Sequence, residues 1–424
     1  MSKQTFVIVG ASLAGAKAAE TLRELGFEGR VVLLGAEDER PYERPPLSKD
    51  YLSGKVGLEK VYLHPLDFYE SHEIELRTAT TVERVDPGAS EVVLTGGERL
   101  GYDRLLLATG AEPRRLSLAG ADLDGIYYLR TLPDSDRLRE RIQGGGKLVV
   151  VGAGWIGCEA AAAARQAGLE VTVIDPNAVP LEHVLGAEVG AIYRDVHTDH
   201  GVEMLLGTGV EAFEGEGRVE RVRTSDGGLI DCDFVVAGIG ASPRTELAAG
   251  TKIAVGNGLV TDEFLQTAVE GIFAAGDVAN ARHPLFGELR VEHWANALHQ
   301  GPVAARNMLG AADAQDPVMD HPTAYDRIPY FYSDQYDVGM EYSGHATAWD
   351  EVVFRGDVAN REFIAFWLKD ERILAGMNVN VWDVPEQIQA LIRSHLRVDR
   401  DRLADPDTPL TELAPDREVS HAER

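Results

Sequence analysis

Apolar residues along this chain follow one repeated pattern of strand, loop, helix and strand. Residues 6–9 (FVIV) form a short β-branched run, followed by GASLAG at 10–15 and a longer stretch ending in ETLRELG. Within it Ala14, Ala18, Leu22 and Leu25 recur at helical spacing, and Gly26 stops the helix. RVVLLG (30–35) has the continuous apolar character of a buried strand. This is the unit from which parallel sheets are built. Residues 147–175, KLVVVGAGWIGCEAAAAARQAGLEVTVID, repeat it in the same order. The separation is too long for a solenoid period, so the pattern predicts two nucleotide-type folds in one chain.

Three further runs, DRLLLATG (103–110), DFVVAGIG (233–240) and GIFAAGD (271–277), end in small residues and glycine. Each predicts a strand with a crevice at its carboxyl end, where open α/β sheets bind ligands. AADAQDPVMDHPT (311–323) reads as a linker, and EFIAFWL (362–368) predicts an antiparallel terminal domain. From Asp401 the chain is polar and proline-containing, and a loose tail is expected. The segment after Trp294, ANALHQGPVAARNMLG, predicts a helix that Pro302 should kink or restart.

The loops between the paired strands carry the first chemistry. GAGWIG (152–157) has the full G-x-G-x-x-G spacing through Gly152, Gly154 and Gly157, whereas GASLAG has Gly10 and Gly15 but Ser12 in the middle place. In such a loop the outer glycines permit a tight turn and close packing, and a pyrophosphate sits on the helix N-terminus. Serine adds only a small hydroxymethyl, so the first loop is weakened as a signal without being abolished. Asp175 ends the strand after the second loop, about 20 residues on, where an acid accepts hydrogen bonds from a ribose diol. An acid there also repels a 2′-phosphate, which predicts NADH over NADPH. In the first copy Gly35 aligns with Asp175, and Glu37 is its counterpart.

Composition narrows the reading further. A chain of 424 residues buries several cores without disulfides, and a net charge of −28 argues against a general nucleic-acid or anionic-membrane surface. No run approaches the ~18 apolar residues of a membrane span. The opening residues have the outline of a secretory leader, but cleavage there would destroy the first loop and Lys17 interrupts the apolar stretch. Cys158 and Cys232 form no C-x-x-C pair and point to a reducing cytoplasm, each as a small packing residue. His197 and His200 are expected at the surface, without a metal.

Two nucleotide folds together with RPYERPPLSKDYL (40–52), LRTLPD (129–134), AAGDVA (274–279) and YSDQY (332–336) resemble the two-dinucleotide-binding-domain flavoprotein reductases. Within them the chain looks most like the FAD- and NADH-dependent ferredoxin reductases that serve bacterial oxygenases and cytochromes P450. The resemblance implies an α/β fold with two Rossmann-like, glutathione-reductase-like domains and an α+β carboxy-terminal domain. Its implied boundaries are 1–112 with 241–318 for FAD, 113–240 for NAD, 319–410 for the terminal domain and 411–424 for a tail.

Carried onto this sequence, the resemblance places Gly10, Ser12, Ala14 and Gly15 at the FAD pyrophosphate and Glu37 on the adenosine ribose. Pro46 lies against the flavin, Val82 on the adenine side, Arg130 near the pyrophosphate, Asp277 on the ribityl chain and Trp294 by the isoalloxazine. Gly152, Gly154, Ile156, Gly157, Glu159, Asp175 and Gly240 hold NADH. Lys49 and Glu159 are placed together beside the reactive flavin nitrogen as the catalytic pair. No metal site is expected. The implied acceptor is a [2Fe–2S] ferredoxin that docks transiently on a monomer or weak homodimer, with Arg290, Arg306 and Arg327 as a candidate basic patch. No cysteine lies in RPYERPPLSK, so electrons should leave from the flavin directly. Two alternatives stay open. One is an NADH oxidase, or a quinone or dehydroascorbate reductase, without a protein acceptor. The other is a redox-sensing NADH-binding interaction protein like apoptosis-inducing factor.

Overall fold

A computed structural model describes residues 4–310 and 322–413. Positions 311–321 of the expected linker and 414–424 of the expected tail lie outside the described residues. The chain divides into two compact units, Met1–Gly145 with Phe234–Arg327, and Gly146–Asp233 with Ile328–Arg424.

In the first unit five parallel strands lie in the order Ile272–Ala274, Arg104–Leu107, Thr5–Val9, Arg30–Leu34, Ile74–Arg77. The chain leaves Thr5–Val9 in both directions along the sheet, so a topological switch point falls at the carboxyl end of that strand, where Gly10 begins the loop. Alternate side chains feed two cores. Phe6, Ile8, Val31 and Leu33 pack with Leu22 and Met308 on one face. Val7, Val9, Val32 and Leu34 pack with Val85, Val92 and Leu105 on the other.

The helix Leu13–Glu24 packs closely on Trp294–Gly310, since a Cβ at Gly301 would stand 2.3 Å from the Ala14 carbonyl oxygen. The expected restart at Pro302 does not occur, and 294–310 is one helical element. Burial of Ala295, Gly301, Ala304, Ala305 and Met308 outweighs the one backbone bond that proline removes.

The two loop helices end identically. Gly26 N–H donates to Arg23 O and Phe27 N–H to Leu22 O; Gly168 N–H donates to Arg165 O and Leu169 N–H to Ala164 O. These are Schellman caps, with the glycines at φ +79° and +91°. The duplication therefore extends to the stop signal.

In the second unit the strands Lys147–Val151, Glu170–Asp175 and Glu203–Leu206 are parallel neighbours. The expected antiparallel terminal sheet is present, ordered Tyr330–Gln335, Val338–Gly344, Arg372–Val379, Glu362–Lys369, Glu351–Asp357. The helix Glu182–Asp199 packs on this terminal sheet through a shared core of Leu185, Val189, Tyr193, Met340, Trp367 and Met377. Gly186 breaks this helix at φ +80°, and the Leu185 carbonyl accepts from Trp367 Nε1 at 3.0 Å.

The architecture is α/β with two Rossmann-like halves and an α+β carboxy-terminal region, as the resemblance implies. The compact units cut it at other places than 112/113 and 240/241. Residues 113–145 belong to the first unit because the helix Leu132–Gln143 is tied to the segment around 42–51: Ser135 Oγ donates to Leu47 O at 2.8 Å and Tyr51 OH to Asp136 at 2.6 Å. From Asp401 as far as residue 413 the chain is tied down, contrary to the expected looseness. Arg355 donates to the carbonyls of Leu403, Asp405, Pro406 and Thr408, and Leu403 and Leu410 are buried. Among the described residues no helix is long and apolar enough to cross a membrane, and no group of three potential metal ligands assembles.

Candidate dinucleotide sites

Both loops are built by the same close approach. A Cβ at Gly15 would stand 2.0 Å from the Gly10 carbonyl oxygen, and one at Gly157 1.9 Å from that of Gly152. The middle positions make no demand on the backbone angles. Ser12 (φ −107°, ψ −164°) and Gly154 (φ −80°, ψ −177°) are both extended, a conformation open to any residue. Serine in the first loop therefore costs the backbone nothing.

The fit to a dinucleotide follows from the helix ends. The Ser12 side chain makes no bond to its helix, Gly154 has no side chain to make one, and neither first turn carries an acid. The N–H groups of residues 13–15 and 155–157 are left without intrahelical acceptors, at the positive end of the dipole. A pyrophosphate matches such a set of donors.

In the first unit the assigned residues converge. Arg130 Nη2 pairs with Asp277 Oδ2 at 2.8 Å across 147 residues of sequence, and Arg130 Nε is buried with no partner among the described residues. Arg44 donates to the Arg130 carbonyl, to Tyr42 OH at 3.1 Å and to Glu37 Oε1 at 2.8 Å. Tyr42 OH in turn donates to Glu37 Oε2. Burial works against the charged carboxylate of Glu37, but Arg44 and the Tyr42 hydroxyl outweigh it and hold it below the usual carboxylate range. Glu37 thus stays an acceptor, as a ribose ligand must. Arg44 and Tyr42 received no role from the sequence, although both lie inside RPYERPPLSK; their position in that stretch was the available signal.

The other first-unit residues are spread over several elements. Pro46 lies in the short 3₁₀ turn Pro45–Ser48, and Lys49 follows as its half-buried cap. Val82 opens the strand Val82–Asp86 with its side chain in the second core. Trp294 starts the helix Trp294–Gly310. Gly240 also falls in this unit, where its carbonyl accepts from Arg114 N–H at 2.9 Å, whereas the other NAD residues lie in the second. The basic patch loses a member: Arg290 is mostly buried and paired with Glu292, while Arg306 and Arg327 are exposed.

In the second unit Asp175 Oδ2 accepts from Ala153 N–H at 2.7 Å, and Oδ1 from Asn177 N–H and Nδ2, each at 2.8 Å. This carboxylate holds the glycine loop itself, and Oδ2 retains a lone pair for a ribose hydroxyl. Ile156 is 40% exposed at the start of the loop helix, an apolar surface beside the donors. Glu159 is buried one turn on and accepts from Ser333 Oγ at 2.7 Å. Cys158 is fully buried with Sγ toward Ala153 O, and burial pushes its thiol far up; Cys232 is pushed up to about 12 by the same cause. Both are packing residues, as expected.

His197 corrects the expectation of a surface residue. It is fully buried, bonded to Gln335 of the terminal sheet, and burial lowers its pKa to about 4. His200 remains half-buried, stacked on Tyr336 at 3.8 Å. A histidine neutral when folded but titrating near 6.5 when unfolded leaves stability intact above pH 6.5 and erodes it as pH falls toward 4, by about 3 kcal/mol in all. In urea unfolding, His197→Gln should show a stability–pH slope between pH 6 and 5 shallower than wild type by about 1.4 kcal/mol per unit. Equal slopes would contradict this.

The family model for pyridine nucleotide-disulphide oxidoreductases matches residues 4–301, and a reductase carboxy-terminal model matches 330–414. The chain belongs to the pyridine nucleotide-disulphide oxidoreductase family. It is 39% identical to the ferredoxin reductase subunit of a 5,5′-dehydrodivanillate O-demethylase from Sphingobium sp., over 96% of this chain and 97% of that protein. It is 36% identical to putidaredoxin reductase from Pseudomonas putida, over 96% of each. The solved covalent complex of putidaredoxin reductase with putidaredoxin superposes with a TM-score of 0.90 at 36% identity, covering 97% of this chain and 98% of that one. The family name refers to a disulfide, yet here both cysteines are free and lie in the unit that carries the second loop.

Proposed function

We propose that this chain is an NADH-dependent ferredoxin reductase that supplies electrons to an oxygenase system. The duplicated anion-binding loop carries the reading. Two donor-lined helix ends serve two dinucleotides, and similarity over nearly the full length to ferredoxin reductase components supports the acceptor. FAD takes two electrons from a nicotinamide and gives them up singly, the conversion such an acceptor needs.

The first loop holds FAD, with Gly10, Ser12, Ala14 and Gly15 at its pyrophosphate and Glu37, Arg130 and Asp277 along the nucleotide. The second holds NADH through Gly152, Gly154, Ile156 and Gly157, with Asp175 on the ribose. Lys49 and Glu159 are the charged residues assigned to the reaction between the two. The acceptor is a [2Fe–2S] ferredoxin, docking transiently in the cytoplasm on a monomer or weak homodimer. Against the chain's charge of −28 the exposed Arg306 and Arg327 supply local positive charge.

Steady-state oxidation of NADH and NADPH by the flavin-loaded protein, with ferredoxins, quinones and oxygen compared as acceptors, tests this. A ferredoxin should raise turnover well above oxygen, with kcat/KM for NADH at least about tenfold over NADPH. Fast quinone or oxygen turnover without gain from any ferredoxin favours the partner-free reductase instead. Because neither thiol has a redox role, Cys158→Ala with Cys232→Ala should keep ferredoxin reduction within about twofold of wild type, its only cost being a core cavity. Loss of electron flow in a folded, flavin-loaded double variant would require a sulfur intermediate.

A further inference from the structure

The strand Tyr330–Gln335 turns Ser333 and Gln335 inward, 1% and 2% exposed, while Asp334 between them faces out. Period-two alternation normally places apolar residues at such positions. Here both are polar, and buried polar groups persist when each finds a partner.

The partners form a line. Ser333 Oγ is 2.7 Å from Glu159 Oε1, Gln335 Nε2 3.2 Å from Ser333 Oγ, His197 Nε2 2.9 Å from Gln335 Oε1, and Tyr336 OH 3.3 Å from His197 Nδ1. Chemistry fixes the direction of each link. A carboxylate only accepts, so the single Ser333 proton goes to Glu159. Ser333 Oγ then accepts from the Gln335 amide nitrogen. The amide oxygen only accepts, so His197 carries its proton on Nε2. The ring is neutral, which leaves Nδ1 to accept from Tyr336. Every donor points toward Glu159, and aligned links of this kind reinforce one another.

We propose that Ser333 is a positioning residue for Glu159, held by Gln335, His197 and Tyr336, so that the terminal sheet sets how the loop helix presents this carboxylate to the nicotinamide nucleotide. The proposal rests on the assignment of Glu159 to the NADH site. It gives the SDQY stretch a function: two inward polar residues at alternate positions, reaching a helix 174 residues earlier.

The test uses flavin-loaded, full-length protein and two readouts. One is NAD⁺ affinity by calorimetry, which involves no turnover; the other is the single-turnover rate of flavin bleaching by NADH. Ser333→Ala should weaken NAD⁺ by about fivefold and slow bleaching on the order of tenfold. Ser333→Thr, which keeps the hydroxyl, should stay within about twofold of wild type on both. Gln335→Met, one link further away, should shift both in the same direction but less. In a Glu159→Gln background Ser333→Ala should add little, the signature of coupling in a double-mutant cycle. An unchanged Ser333→Ala beside a crippled Glu159→Gln overturns the proposal alone. So does a Ser333→Ala effect of equal size with and without the carboxylate. A silent Glu159→Gln overturns the assignment of Glu159 and the proposal together.

Discussion

Gly157→Ala should yield a yellow protein that NADH barely reduces. The new methyl would stand 1.9 Å from the Gly152 carbonyl oxygen, a backbone atom that no rotamer change can move aside. The helix Trp155–Gln166 must retreat, and the N–H groups of residues 155–157 retreat with it. A displacement of about 1 Å at a binding group costs on the order of a hundredfold. We therefore expect kcat/KM for NADH to fall about a hundredfold, mainly through KM, with the strain lowering stability by about 1–3 kcal/mol. Flavin content should be unchanged, because the first loop belongs to the other unit. Stopped-flow reduction and the visible spectrum together decide the matter. A variant with kcat/KM within threefold of wild type would mean that the second loop is not the NADH site.

Arg130→Leu is the complementary case and should cost the flavin. Arg130 pairs with Asp277, its carbonyl is held by Arg44, and its Nε has no partner among the described residues. Such a buried donor, on a side chain bonded to Asp277 next to Gly276, which packs against Ala14 of the first loop, fits a phosphate oxygen. Leucine would remove that donor and leave the mostly buried Asp277 carboxylate without its cation. The apoprotein should lose about 2 kcal/mol, since a pair broken on one side costs more than it contributed. FAD affinity should fall by about a hundredfold, so that the protein purifies partly colourless and regains colour on added FAD. The ratio of flavin to protein absorbance measures the first effect and fluorescence titration the second. Full flavin occupancy after dialysis would place the pyrophosphate elsewhere.

What could be read beforehand depended on how far apart in the chain the interacting groups lie. The strand–loop–helix–strand units, their glycine stops and the tight Gly10–Gly15 and Gly152–Gly157 approaches are local, and each leaves a mark within a few residues. Ser12 looked like a defect because the motif names a glycine. The backbone shows that the middle place is extended and indifferent to a side chain. Pro302 carries a local cost that packing against Leu13–Glu24 overrides. His197 shows the related point that a polar residue on a helix carries no mark of what will cover it.

By itself the sequence determined the α/β class, the duplication, the antiparallel terminal region and the two anion-binding loops, because periodicity and glycine geometry act between near neighbours. Tertiary structure alone decided which polar groups meet: Arg130 with Asp277, Glu37 with Arg44, and Glu159 with Ser333. It also drew residues 113–145 into the first unit and joined 146–233 to the terminal sheet. Such encounters are set by how whole sheets and helices pack, and a buried donor chooses its acceptor only once packing has excluded water.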